Sequence, residues 1–96
     1  MQNRKGKIQR DANGQIIELD LRGTDVNDAD LKTLKELANL QTLYLGGTEI
    51  TDVGLAELKE MKSLRFLGLV GAKVTVVGLN AIRAALPDCQ LASGGR

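Results

Sequence analysis

Side chains able to do acid–base, nucleophilic or metal chemistry are few in this chain, and they stand apart. There is no histidine, so the commonest general base and metal ligand near neutral pH is missing. The single cysteine, Cys89, has no imidazole to activate it and lies beside a column of apolar residues. It reads as a small residue at the last strand, and alone it cannot form an internal disulfide. Ser63 and Ser93 flank no base or oxyanion motif. The pairs Gly46-Gly47 and Gly94-Gly95 lack the strand–GxGxxG–helix setting of a phosphate cradle and read as turn glycines. Glu18, Asp20, Asp25 and Asp28 form an acidic neighbourhood, without the defined loop of oxygen ligands that calcium requires. The sequence predicts no catalytic residue, no metal site and no cofactor.

What remains is the chemistry of recognition. Arg4, Lys5, Lys7 and Arg10 could touch phosphates. No aromatic residues interleave with them and no recognition helix follows, so they read as a solvated leader and nucleic acid is disfavoured as a partner. Thirteen basic against twelve acidic residues give a net charge of +1, too little for a global steering field. No apolar run approaches the roughly 18 residues of a membrane span, and the polar start at 1–5 has no signal-peptide core. One cysteine suits a reducing compartment, which favours the cytoplasm, with a secreted fragment free of disulfides as the alternative. Hydrophobic residues make up 43% of the chain, yet its only aromatics are Tyr44 and Phe66. The interior must be built from leucine, isoleucine and valine.

Those aliphatic residues recur in register. Leu19, Leu43, Leu67 and Leu91 lie 24 residues apart, as do Leu21, Leu45 and Leu69, and again Val26, Ile50 and Val74. Several columns with one period mean stacked units rather than one closed core. The spacing predicts units at 16–39, 40–63 and 64–87. Each opens with the alternation of a half-buried strand, then changes to helical spacing. Leu31, Leu34 and Leu37 mark one helical stripe, and Leu55, Leu58 and Met61 mark the next. Asn27-Asp28 and Thr51-Asp52 place a capping side chain and then an acid at the positive end of a helix. In the third unit Val76 follows Thr75, so that helix is expected to be the least well capped. Before the units, Lys7–Arg10 and Gln15–Leu21 are strand-like around the turn signal Asp11-Ala12-Asn13-Gly14. They predict a hairpin cap at 7–15 in which Ile8 covers the first unit. After Pro87 comes a partial strand at 88–92, with Leu91 on the buried column. Residues 1–6 read as a flexible leader and 93–96 as a tail.

The run Leu40-Gln-Thr-Leu43-Tyr-Leu45-Gly-Gly-Thr48-Glu-Ile50-Thr-Asp-Val-Gly-Leu55 closely resembles the leucine-rich repeat in its bacterial, glycine-threonine form. It is also similar to the cysteine-containing repeats of F-box adaptor proteins, where a cysteine often takes the Thr48 position. The ending Ala85-Leu86-Pro87-Asp88-Cys89-Gln90-Leu91 looks like the close of such bacterial arrays. The resemblance covers roughly residues 7 to 92. It implies an α/β fold: a right-handed leucine-rich repeat solenoid with a concave parallel sheet, helices on the convex side and an N-terminal β-hairpin cap. It also implies protein recognition as the usual role. Such repeats commonly carry an asparagine that bonds the turns of neighbouring coils. Thr24 and Thr48 occupy that place here and Ala72 breaks the series, so a weaker ladder is expected.

With Leu19 and Leu21 inside, alternation turns Glu18, Asp20 and Arg22 outward. The equivalent outward positions are Thr42, Tyr44 and Gly46, then Phe66, Gly68 and Val70, then Gln90 and Ala92. Both aromatics therefore share one open face, offset by one position on adjacent strands. Interfaces favour such rings at their centres; the alternative reading is that they merely shield neighbouring strands. Glu18, Asp20, Arg22, Thr42, Tyr44, Phe66, Val70 and Gln90 are the candidate partner-binding residues, with Gly46 and Gly68 expected to leave the sheet floor accessible. The charged residues of the helices read as a merely solvated surface. Val77 is expected to be partly buried and Val76 to face outward. The leading expectation is a non-catalytic module that binds another protein. The alternative is self-association through the Leu91 and Val76 edge, giving dimers or head-to-tail assemblies.

Overall fold

The computed structural model describes residues 7–92; the expected leader at 1–6 and tail at 93–96 lie outside them. The alternating and helical stretches of the sequence become strands and helices in the predicted order. These are β1 (Lys7–Arg10), β2 (Ile16–Asp20), α1 (Asp28–Leu34), β3 (Thr42–Tyr44), α2 (Asp52–Glu57), β4 (Phe66–Gly68), α3 (Val76–Ala85) and β5 (Gln90–Ala92). A 3-10 turn, Leu58–Glu60, extends α2. The result is an α/β fold with one five-stranded mixed sheet in the order β1-β2-β3-β4-β5. Only the first pair is antiparallel; the other three are parallel. Their register sets Leu19 beside Leu43, Leu43 beside Leu67, and Leu67 beside Leu91. The leucine column of the sequence is thus a physical column across the sheet.

Behind the sheet, that column meets the helices. Leu43, Leu45, Ile50, Leu58 and Leu67 are fully buried, with Leu31 and Ile82 closing the interior from the helix side. Between strand and helix, Gly23, Gly47 and Gly71 adopt φ of +69°, +69° and +82°, a turn that side-chain-bearing residues resist. The turn carbonyls of Leu21 and Leu45 accept the Thr24 and Thr48 hydroxyls, both at 2.7 Å. At Ala72 only the backbone bond to Leu69 remains, at 3.0 Å. These threonine hydroxyl bonds stay within one unit.

One turn further on, side-chain bonds link one unit to the next. The carboxylate of Asp28 accepts from Thr51 N–H at 2.8 Å and from the Thr51 hydroxyl at 2.6 Å. Asp52 repeats this with Thr75, at 2.8 Å and 2.5 Å. Each threonine in turn caps its own helix, Thr51 accepting from Val53 N–H at 3.2 Å and Thr75 from Gly78 N–H at 3.4 Å. Asn27 caps α1 more fully, in a reciprocal capping box with Asp30. The third helix has the longest of these threonine cap bonds and no acid in its first turn, as the sequence led us to expect. Gly54 and Gly78 leave room for the aspartates: a Cβ at either would collide with Asp28 Oδ1 or Asp52 Oδ1.

Two expectations about packing need correction. Ile8 pairs with Leu19 across the hairpin but is 51% exposed; β1 is the first strand of the sheet order, flanked on one side only among the described residues, and all four of its residues are exposed. Val77 is 76% exposed, close to Val53 at 71%, because that helix position lies on the outer surface in every unit. Val76 does face outward, at 70% exposed.

Candidate binding face

The sheet's outward side chains form rows running across the strands. One row is Glu18, Thr42, Phe66 and Gln90; the next is Asp20, Tyr44, Gly68 and Ala92. Arg22, Gly46 and Val70 follow just beyond the strand ends. The predicted alternation holds, since Leu43 and Leu67 between these positions are fully buried.

Within those rows the side chains lean diagonally. The Tyr44 and Phe66 ring centroids lie 5.5 Å apart at a tilt of 55°, within the favoured range for aromatic pairs. Arg22 repeats the step one strand earlier, its guanidinium carbon 4.8 Å from the Tyr44 centroid, a cation–π distance. Each residue reaches from its own row to the neighbour's preceding row, so Arg22, Tyr44 and Phe66 form a staircase. Asp20 fixes its first tread. Its carboxylate accepts from Arg22 Nε at 2.8 Å and from Nη2 at 2.6 Å, the bidentate geometry that holds a guanidinium in one orientation. The hydrogen bond from Arg22 is the main cause holding the Asp20 carboxyl below its usual range, with Lys7 adding to it; the same pair raises Arg22.

The floor is not open as expected. A Cβ on Gly68 would stand 3.2 Å from Tyr44 Cδ1 and 3.5 Å from Phe66 Cε2. The rings lie over that glycine, and it is buried. At Gly46 a Cβ would come within 2.7 Å of the Val70 carbonyl oxygen, so the neighbouring backbone fills that space. The two glycines let rings and chain settle onto the sheet rather than leave a gap.

The structure therefore brings together Asp20, Arg22, Tyr44 and Phe66 by direct contact. Glu18, Thr42 and Gln90 share the Phe66 row by register. Val70 stands at the exposed end of the Arg22 row, 54% exposed. The aromatics are half-buried, Arg22 and Gln90 exposed. The sequence reading missed the Arg22 step; its signal was that Arg22 stands to Tyr44 as Tyr44 stands to Phe66, each 22 residues apart.

Elsewhere the polar residues brace the fold. Lys35 Nζ and Glu57 Oε1 form an ion pair at 2.8 Å between α1 and α2; this bond lowers the Glu57 carboxyl and raises the Lys35 ammonium. Lys62 donates to the Ala85 carbonyl at 3.1 Å. The helix charges thus do more than solvate. Burial pushes the Cys89 thiol up, which makes it a poorer nucleophile. A cleft of about 100 Å³ beside Cys89 and Arg65, and one of about 160 Å³ between α2 and α3, are lined by none of the outward row residues. No group of three potential metal-ligating side chains occurs among the described residues. No helix among them is long and apolar enough to cross a membrane. Compared with protein-family models, curated proteins and solved structures, the chain gives no match.

Proposed function

We propose that the chain is a short leucine-rich repeat domain, a right-handed solenoid with its parallel strands on the concave side. We further propose that it is a non-catalytic module binding another protein through that face. The repeat reading is supported by three successive 24-residue strand–turn–helix units whose leucines align across parallel strands. The binding reading is carried by the staircase of Arg22, Tyr44 and Phe66. The chain's two aromatic residues both lie on the outward side of its sheet, half-buried and stacked on one another. Arginine and tyrosine are the residue types that dominate binding energy at interfaces. Their setting is preorganised, because Asp20 holds Arg22 and Gly68 seats the rings, which lowers the ordering cost of association.

The test is capture by the immobilised chain, compared between the native protein, a Tyr44→Ala/Phe66→Ala variant and a Val53→Asp variant on the helix side. Partners retained by the native chain and by Val53→Asp, but lost by the double variant, are expected. Equal capture by all three would remove the open face from consideration.

A further inference from the structure

The two edges of the sheet differ in kind. β1 carries Lys7 and Arg10 and breaks register between Gln9 and Arg10; charge and a bulge are the devices that blunt an edge against pairing. β5 carries Gln90, Leu91 and Ala92, none charged, in unbroken register with β4. Gln90 N–H donates to the Arg65 carbonyl at 2.9 Å, and the Ala92 carbonyl accepts from Leu69 N–H at 2.6 Å. Successive residues of a strand direct their backbone groups to opposite sides. The N–H and C=O of Leu91 therefore point away from β4, and no strand lies beyond β5 among the described residues.

The interior behind that edge is also unfinished. Leu67, Ile50 and Leu55 are 0%, 0% and 1% exposed, whereas Leu91, Val74 and Leu79, one period later, are partly exposed. The third unit also lacks the acid that the first two carry at this turn. Val76 stands where Asp28 and Asp52 grip the following threonine.

We propose that β5 pairs antiparallel with β5 of a second copy, about a two-fold axis through Leu91. Each Leu91 then donates its N–H to the other's C=O, the doubly bonded pair of an antiparallel ladder. Gln90 of one copy faces Ala92 of the other on the open side. The two Leu91 side chains meet on the interior side and join the aliphatic columns. Pairing of β5 with β1 would instead build an open array, but it meets Lys7, Arg10 and the bulge. The two-fold contact closes and stops. It makes one ten-stranded sheet from two five-stranded ones. The two β4 strands, each bearing a Phe66, then lie about 14 Å apart across three strand spacings, and the face becomes bivalent.

Sedimentation equilibrium of the full chain over a wide concentration series tests this. A monomer–dimer equilibrium with no larger species is expected. Gln90→Lys/Ala92→Lys sets lysines opposite each other twice and should weaken the dimer about tenfold. Gln90→Glu/Ala92→Lys sets opposite charges face to face and should restore it. Circular dichroism at low concentration checks that both variants fold. A chain that stays monomeric throughout, a mass that grows past the dimer, or equal association by the two variants would overturn the proposal. Capture by the open face could survive any of these outcomes, so the two proposals fail separately.

Discussion

In the second unit, residues 40–63, Thr48 is buried and bonds the Leu45 turn, while Asp52 grips Thr75 of the unit that follows. In the third, residues 64–87, Ala72 and Val76 stand at those two places. The backbone runs the same course in both, with Leu43 and Leu67 in register, so the repeating fold does not depend on these side chains at every unit. The difference teaches that aliphatic columns and glycine turns set the course. The aspartate–threonine grips join the first unit to the second and the second to the third.

That comparison can be broken most forcefully through the interior. Leu43→Ala empties a fully enclosed site and should cost about 3 kcal/mol in urea unfolding, against about 1 kcal/mol for Val74→Ala at the partly exposed equivalent of Ile50. Equal costs would mean that the ends of the columns are as well packed as the middle. Next comes the grip itself. Asp28→Ala leaves Thr51 without its acceptor and should cost about 2 kcal/mol. Gly54→Ala should also destabilise, and less so when combined with Asp28→Ala, since the colliding carboxylate is then gone. Additive losses in that cycle would show that Gly54 serves something other than Asp28.

A smaller effect is expected from pH. Bonds from Thr75 hold the Asp52 carboxyl below its usual range, with the hydroxyl bond the larger cause. A depressed folded value means stability is present above the unfolded carboxylate value, about 4, and is lost as pH falls through the folded one. Asp52→Asn should flatten part of that acid-side loss in thermal melts taken across the acid range; an unchanged slope would remove the grip as its source. Smallest of all, Val76→Asp should change stability by less than about 0.5 kcal/mol, as for other exposed sites.

Much of the fold was legible because one period governs it. The alignment of Leu19, Leu43, Leu67 and Leu91 and the outward rows followed from spacing and alternation, and the hairpin and helix caps from their turn and capping residues. The grips were not legible. An acid after a helix cap is already explained by the helix dipole, and nothing in the pattern says that Asp28 reaches Thr51. Ile8 and Val77 were misjudged for a related reason: both are apolar, yet alternation and helical spacing cannot tell what lies beyond an edge strand or outside a helix. Of the candidate face, the membership was legible and the contacts were not. Arg22, Tyr44 and Phe66 were all placed outward, but their diagonal stacking depends on Gly68 yielding space under the rings.

The most direct measurement is an amide chemical-shift map of the isotope-labelled chain titrated with a partner recovered by capture. Shifts gathered at Glu18–Arg22, Thr42–Gly46 and Phe66–Val70 are expected, with α1, α2 and α3 largely silent. Shifts concentrated along those helices, with Tyr44 and Phe66 unmoved, would contradict the assignment of the open sheet face as the binding surface.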